Sequence, residues 1–170
     1  MPDEREVIEA VRLEFAALKT LAERAAAQLD DAAFFAELDD NANSVALLMK
    51  HVGGNLRSRW AEPFTTDGEK PDRHRDAEFE REPADTRAAI ERRWNEGWAT
   101  LFGTLEQAVP ADLARDVRIR GEELTFARAL TRSLAHTAGH VHQIVLLARH
   151  WRGRAWQTLS IPRARPAGSA

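Results

Sequence analysis

The 170-residue sequence contains no cysteine, and this absence excludes disulfides, thiolate metal sites and a thiol nucleophile carried by the protein itself. Long apolar runs are also missing, because the longest, Ser44–Met49 and Ile144–Ala148, are far too short to span a bilayer. The N-terminal segment MPDEREVIEAVRLEF is charged from its third residue, unlike a signal or transit peptide. We therefore expect a cytoplasmic protein that makes no membrane contact.

Acidic residues are absent after Glu123, although seven arginines follow it. Those arginines are Arg128, Arg132, Arg149, Arg152, Arg154, Arg163 and Arg165. Without them, 17 basic residues face all 27 acidic ones, a net charge of −10. We favour a basic last helix that packs among acidic neighbours, and the alternative is an anion site near the end of the chain. No basic-aromatic module is present, so we expect no nucleic-acid partner.

Helix-favouring residues dominate the composition and β-branched residues are sparse, which predicts an all-α fold. Apolar residues recur at steps of three and four along residues 4–29, which predicts a first amphipathic helix. A short helical turn follows near Phe34. The second helix runs through SVALLMKHVGGNLRSRW, with Asn41, Asn43 or Ser44 as its N-cap.

The rest of the chain contains two further helices and a long connection. Residues 61–83 carry three prolines and many charges without a helical period, and so predict a long crossover loop. Asp85 is the expected cap of a third helix, and a fourth runs from about Thr125 to Trp151 and stops at Gly153. VRIRGEEL, before that helix, predicts a small hairpin or an extended turn. We predict a four-helix bundle forming one domain over residues 1–162, followed by a flexible tail over 163–170.

The histidines carry the chemical prediction. His136 and His140 lie one helical turn apart, so their imidazoles can reach one ion, and the surrounding face is small or apolar. His51 shares a helix face with Ser44, Leu47, Leu48, Asn55 and Ser58. It too should therefore face inward, whereas His142 points away from the pair. A lone inward histidine is usually a hydrogen-bonded core residue, and one H-x-x-x-H pattern is weak. Together, the three predict a site for one divalent ion such as Zn²⁺ or Ni²⁺, with coordination positions left open.

Two glycines follow His51 inside an apparent helix, where each costs about 1 kcal/mol relative to alanine. Gly53 and Gly54 therefore indicate either room for a ligand beside the metal or a close helix crossing. Asn55 and Ser58 lie one and two turns beyond His51, which makes them candidates for substrate contact or for support of the metal ligands.

Three segments together resemble the DinB/YfiT-like superfamily of metalloenzymes, in one of its bacterial branches. They are KHVGGNLRSRW with FTTDGEKPDRHRDAEFE, then SLAHTAGHVHQIVLLAR, then WQTLSIPR. The resemblance implies a four-helix bundle with one metal ligand on helix two and two on helix four, which correspond to His51, His136 and His140. Many relatives have a glycine where this chain has His142, a departure that concerns local packing and partner contacts but leaves the ligands in place.

Functions known in the superfamily imply a transferase that uses a low-molecular-weight thiol as cosubstrate, and the lack of cysteine fits a borrowed thiol. One alternative is a metal-dependent hydrolase at the same site. Another is a non-catalytic, stress-linked binding or scaffold protein with a structural metal. The residues identify no general acid or base, and they do not name the substrate.

The loop over residues 61–83 is expected to be ordered by Arg–carboxylate pairs and to shape the mouth of the metal site. Arg73 or Arg75 would then be free to bind an anionic group of a small-molecule substrate. Bundles of this superfamily often pair, and five tryptophans leave aromatic surface to cover, so we also expect a homodimer.

Overall fold

A computed structural model describes residues 4–161 of the chain. Within that range the chain is mainly helical, as predicted, with 65% helix, five α-helices and one two-stranded sheet. The helices are α1 (Glu4–Ala26), α2 (Asp31–Phe34), α3 (Val45–Trp60), α4 (Arg87–Gln107) and α5 (Phe126–Arg152), and the strands are β1 (Asp116–Ile119) and β2 (Glu122–Thr125). The predicted tail over 163–170 lies outside the described residues.

Hydroxyl side chains cap the N-terminal ends of α3, α4 and α5. Ser44 Oγ accepts from the backbone N–H of Leu47 at 3.2 Å at the start of α3, and Thr125 caps α5 in the same way. The predicted cap of α4 is wrong by one residue, because Thr86 caps it and Asp85 instead accepts from the buried ammonium of Lys50 at 2.7 Å. A buried cation attracts the nearest carboxylate more strongly than a backbone N–H does.

The end of α1 departs from the end predicted by its apolar periodicity, whereas the end of α5 agrees with the prediction. α1 stops at Ala26, three residues before the apolar period ends, although Leu29 is still buried in the core. α5 ends at Gly153, whose φ of 56° lies in the left-handed region that favours glycine.

The core is formed by α1, α3, α4 and α5, and the aromatic side chains of α4 lie within it. Trp94 and Trp98 are fully buried, and Phe15 of α1 meets Trp98 edge-on with ring centroids 6.1 Å apart. None of the helices in the described part is both long and apolar enough to cross a membrane.

Glycine lets α3 and α4 approach each other closely. A Cβ at Gly97 would lie 2.8 Å from the Cα of Gly53, and a Cβ at Gly53 would lie 2.7 Å from the carbonyl oxygen of Arg93. Gly53 therefore serves a close helix crossing, which is one of the two interpretations that the sequence left open.

The predicted hairpin is confirmed. β1 and β2 pair antiparallel, with Ile119 opposite Glu122 at the closed end. Arg120 and Gly121 make the turn with φ values of 54° and 77°, as a tight two-residue hairpin turn requires. The hairpin lies against the start of α5 and touches the 61–83 loop, where Asp67 accepts from the backbone N–H groups of both turn residues at 2.8 Å.

Candidate metal site

Three histidines from two helices converge at one point. His51 comes from α3, and His136 and His140 come from one face of α5. The Nε2 atom of His136 lies 3.3 Å from that of His51 and 3.2 Å from that of His140, and the ligand atoms of the three all lie within 4.8 Å of one another. The group can therefore hold a metal ion.

The spacing of the nitrogens fits a shared cation. Two imidazole nitrogens bound to Zn²⁺ at about 2.0–2.1 Å with tetrahedral angles would lie about 3.4 Å apart, close to the separations seen here. Three neutral imidazoles also match the donor type that zinc and nickel accept. His51, His136 and His140 are the residues that would hold the ion.

Glu78 orients His51. Its Oε2 atom lies 2.8 Å from Nδ1 of His51, so that nitrogen donates to the carboxylate and Nε2 keeps its lone pair toward the other histidines. Arg73 grips the same carboxylate with two hydrogen bonds, from Nε at 2.8 Å and from Nη2 at 2.7 Å. Burial alone would raise the pKa of Glu78, but the hydrogen bonds from Arg73 and then from His51 outweigh it and hold that pKa below its ordinary value.

Gly54 makes this arrangement sterically possible. A Cβ at Gly54 would overlap Oε1 of Glu78 and would lie 2.9 Å from its Cδ. The second glycine after His51 therefore makes room for the carboxylate that is hydrogen-bonded to His51. The sequence pattern did not single out Glu78, because it is one of many acidic residues in a loop without a period. The glycine inside the helix and the expected Arg–carboxylate pairs of the loop pointed only to its neighbourhood.

The other two histidines are neutral at physiological pH. Burial is the main cause that lowers the pKa of His136 to about 4, and the neighbouring His140, His51, Arg59 and Arg73 lower it further. Burial also lowers the pKa of His140, whose Nδ1 lies 3.1 Å from the Oε1 of Gln143. Since a metal binds the neutral imidazole, protons compete with it little at pH 7.

A cavity of about 260 Å³ adjoins the three histidines. Its other lining residues are Asn55, Arg59, Trp60, Pro63, Arg73, Arg75, Phe79, Val117, Arg118, Ile119, Arg120, Ala129, Arg132 and Ser133. Of the four predicted substrate contacts, Asn55, Arg73 and Arg75 thus reach the cavity. Ser58 does not line it, because its hydroxyl donates to the carbonyl of Gly68 at 2.7 Å and accepts from the N–H of Lys70 at 3.1 Å.

The 61–83 loop is held by a shared carboxylate, Glu69. Its Oε2 atom accepts from Arg59 at 3.0 Å, from Arg73 at 3.4 Å and from Arg120 of the hairpin at 3.1 Å. These pairs join the loop to α3 and to the hairpin as one network. Through Pro63, Arg73, Arg75 and Phe79, the loop forms part of the cavity wall beside the histidines.

The remaining histidines lie away from this group. His74 and His142 are exposed, and Nδ1 of His142 lies 2.7 Å from the carbonyl oxygen of Ala138. His150 packs edge-on against Trp151. As for the basic end of the chain, Arg128 and Arg132 pair with Glu122, while Arg163 and Arg165 lie outside the described residues.

One comparison with known proteins gives a match. The model of a family described as Protein of unknown function (DUF1572) matches residues 3–165, nearly the whole chain. No curated protein and no solved structure matches the chain.

Proposed function

The chain belongs to the family described as Protein of unknown function (DUF1572), and we propose that it is a divalent-metal-dependent transferase that uses a low-molecular-weight thiol. The observation that carries this proposal is the convergence of His51, His136 and His140 beside a cavity. The donor set favours zinc or nickel.

We also propose that the fold is a DinB/YfiT-like four-helix bundle. The four long helices α1, α3, α4 and α5 support it, because α3 packs against both α4 and α5, and α1 packs against α5. In that arrangement the three histidines come from the second and the fourth long helix. This is the distribution of ligands that the resemblance in sequence implies.

The protein's own residues prepare the site in two ways. Glu78 and Arg73 hold His51 in one tautomer and one orientation, so its Nε2 lone pair needs no reorganisation before binding. The lowered pKa values of His136 and His140 keep both imidazoles neutral. A divalent ion held there would act as a Lewis acid that lowers the pKa of an incoming nucleophile.

A thiol needs less activation by a metal than water does. The ordinary pKa of a thiol is about 8.5, whereas that of bulk water is about 15.7, so a thiol needs a much smaller shift to ionise at pH 7. Two arginines bear directly on the electrostatics of the histidines, because Arg59 and Arg73 contribute to the lowered pKa of His136. The same positive field would stabilise a thiolate that enters the cavity.

Metal analysis of protein purified without chelator tests the site. We expect about one divalent ion per chain, and we expect His51→Ala, His136→Ala and His140→Ala each to remove most of it. The exposed His74 and His142 serve as matched controls, whose alanine variants should keep the metal. Unchanged metal content in all three variants of the inner histidines would show that the site is assigned wrongly.

A paired activity screen tests the reaction. Metal-loaded protein is assayed against a panel of electrophiles, with glutathione and other small thiols in one arm and water as the only nucleophile in the other. Turnover that requires a thiol supports the transferase. Turnover at the same rate without thiol would instead identify a hydrolase. Unfolding on metal removal, with no turnover in either arm, would indicate a structural metal.

A further inference from the structure

The cavity beside the histidines has a strongly cationic wall. Six arginines line it, from α3, the 61–83 loop, the hairpin and α5, and within residues 4–161 no carboxylate belongs to that lining. The carboxylates that pair with these arginines are therefore not among the residues that line the cavity. Cations that converge on one concave surface from four elements favour an anionic ligand.

Two of these arginines share a helix face with the metal ligands. His51, Asn55 and Arg59 follow one another at intervals of four residues on α3, and Arg132 precedes His136 by the same interval on α5. At a rise of about 1.5 Å per residue, the backbone of Arg59 lies about 12 Å along α3 from His51. The backbone of Arg132 lies about 6 Å along α5 from His136.

The two helices bring these arginines to the same end of the cavity. Trp60, next to Arg59, donates from Nε1 to the hydroxyl of Ser133, next to Arg132, at 3.3 Å. Arg59 and Arg132 therefore lie on the same side of the histidines, and Asn55 lies between His51 and Arg59 on α3.

Arg59 lines the cavity and has hydrogen-bond donors left over after its contacts with the loop. Its side chain is only 12% exposed, and the hydrogen bonds found for it among the described residues, to the carbonyl of Gly68 and to Glu69, all leave from Nη1. Glu69 is shared with Arg73 and Arg120, so it compensates the charge of Arg59 only in part. Accordingly, burial lowers the pKa of Arg59 despite the nearby carboxylate.

Arg73 has a different role. Its Nε and Nη2 bind Glu78, and its Nη1 faces Glu69 at 3.4 Å, so each of its nitrogens already has a carboxylate partner. Arg73 is thus a positioning residue for Glu78 and His51. Arg132, by contrast, pairs through Nη1 with the exposed Glu122.

We propose that the cavity binds a small organic oxyanion, a carboxylate or a phosphate, through Arg59 and Arg132, with the reacting end of the molecule at the three histidines. This inference deepens the proposed function and rests on it for the reaction, but the anion site can be tested by binding alone. A volume of about 260 Å³ suits a small molecule.

Calorimetric titration of metal-loaded protein tests the anion site. The probes are inorganic phosphate and malonate, and malonamide is the uncharged match for malonate. We expect one or both anions to bind, more weakly as salt is added, and malonamide not to bind. Tighter binding of phosphate or of malonate then identifies the class of oxyanion. If neither anion binds at millimolar concentration, or malonamide binds as well as malonate, the proposal is wrong.

Three substitutions locate the binding. Arg59→Gln and Arg132→Gln should each weaken anion binding by about tenfold or more, because each removes charge-assisted hydrogen bonds. Arg128→Gln is the matched control, since Arg128 lies one turn from Arg132 and approaches the same Glu122 but does not line the cavity. Arg59→Gln also loosens the loop. Arg132 is not one of the arginines that pair with Glu69, so Arg132→Gln still tests the proposal if Arg59→Gln unfolds the protein. Equal affinity in Arg132→Gln and the unchanged protein would overturn the proposal.

The metal and the anion site can fail separately. His136→Ala should lose the metal but keep arginine-dependent anion binding. If this variant loses anion binding entirely while the arginine substitutions have no effect, the anion binds only the metal and the proposal is overturned. If metal content proves independent of the histidines while Arg59 and Arg132 still control anion binding, the proposed function fails and the anion site stands.

Discussion

Gly54→Ala should weaken metal binding without unfolding the protein. The added methyl would overlap Oε1 of Glu78 and lie 2.9 Å from Cδ, closer than real Cβ contacts allow. The carboxylate is the far end of a flexible side chain in a loop, so it can move away. Its hydrogen bond to His51 is 2.8 Å long, and a shift of about 1 Å takes it out of hydrogen-bonding range.

The magnitude follows from the role of a carboxylate behind a metal-binding histidine. Losing such a partner typically weakens metal affinity by about 10–100-fold, or about 1.4–2.8 kcal/mol. Folding stability should change less. Alanine gains about 1 kcal/mol over glycine inside a helix, and this gain offsets part of the loss of the Glu78 contacts. We therefore expect Gly54→Ala to lower metal affinity more than it lowers folding stability.

The assay is competitive zinc titration against a chromophoric chelator, combined with chemical denaturation of the metal-free protein. Gly139→Ala is the matched control, because Gly139 adjoins His140 on α5 and an added Cβ there meets nothing within 4 Å. Gly53→Ala should instead lower folding stability, by about 1–3 kcal/mol. Its methyl would lie 2.7 Å from the backbone carbonyl oxygen of Arg93, which cannot move away as a side chain can. Unchanged zinc affinity in Gly54→Ala would refute the role assigned to Glu78.

Three other outcomes are expected. In the folded metal-free protein the pKa of His136 is about 4, against 6.5 in the unfolded chain. The contribution of neutral His136 to the free energy of unfolding is therefore complete above pH 6.5. It should fall by up to about 3 kcal/mol as the pH drops toward 4. Denaturation at several pH values checks this, and His136→Ala should reduce the dependence. Amide exchange should be slow at Gly68, whose N–H donates to the carbonyl of Arg118 at 2.7 Å, and rapid exchange throughout residues 61–83 would make the loop a mobile linker. Light scattering at micromolar concentration should show a homodimer, and a monomer would contradict that expectation.

The sequence alone was sufficient to predict the long helices and the three histidines that could hold a metal ion. Helical periodicity located α1, α3, α4 and α5, and Ser44, Thr125 and Gly153 marked helix ends, because caps depend on neighbours only a few residues away. The histidine trio was predictable for a related reason. His136 and His140 share a face by spacing alone, and the position of His51 on the helix face of Leu47 and Leu48 predicts that it points inward.

Only the tertiary structure decided which polar side chains serve the site. Glu78, Arg73 and Arg59 belong to charged stretches in which every carboxylate has several arginines nearby in sequence, so spacing cannot select the pairs. The buried Lys50 takes Asp85 away from the helix cap, and the loop takes the hydroxyl of Ser58 away from the cavity. Such pairings depend on distances between segments far apart in the chain, and these distances exist only once α3, α5, the loop and the hairpin have packed together.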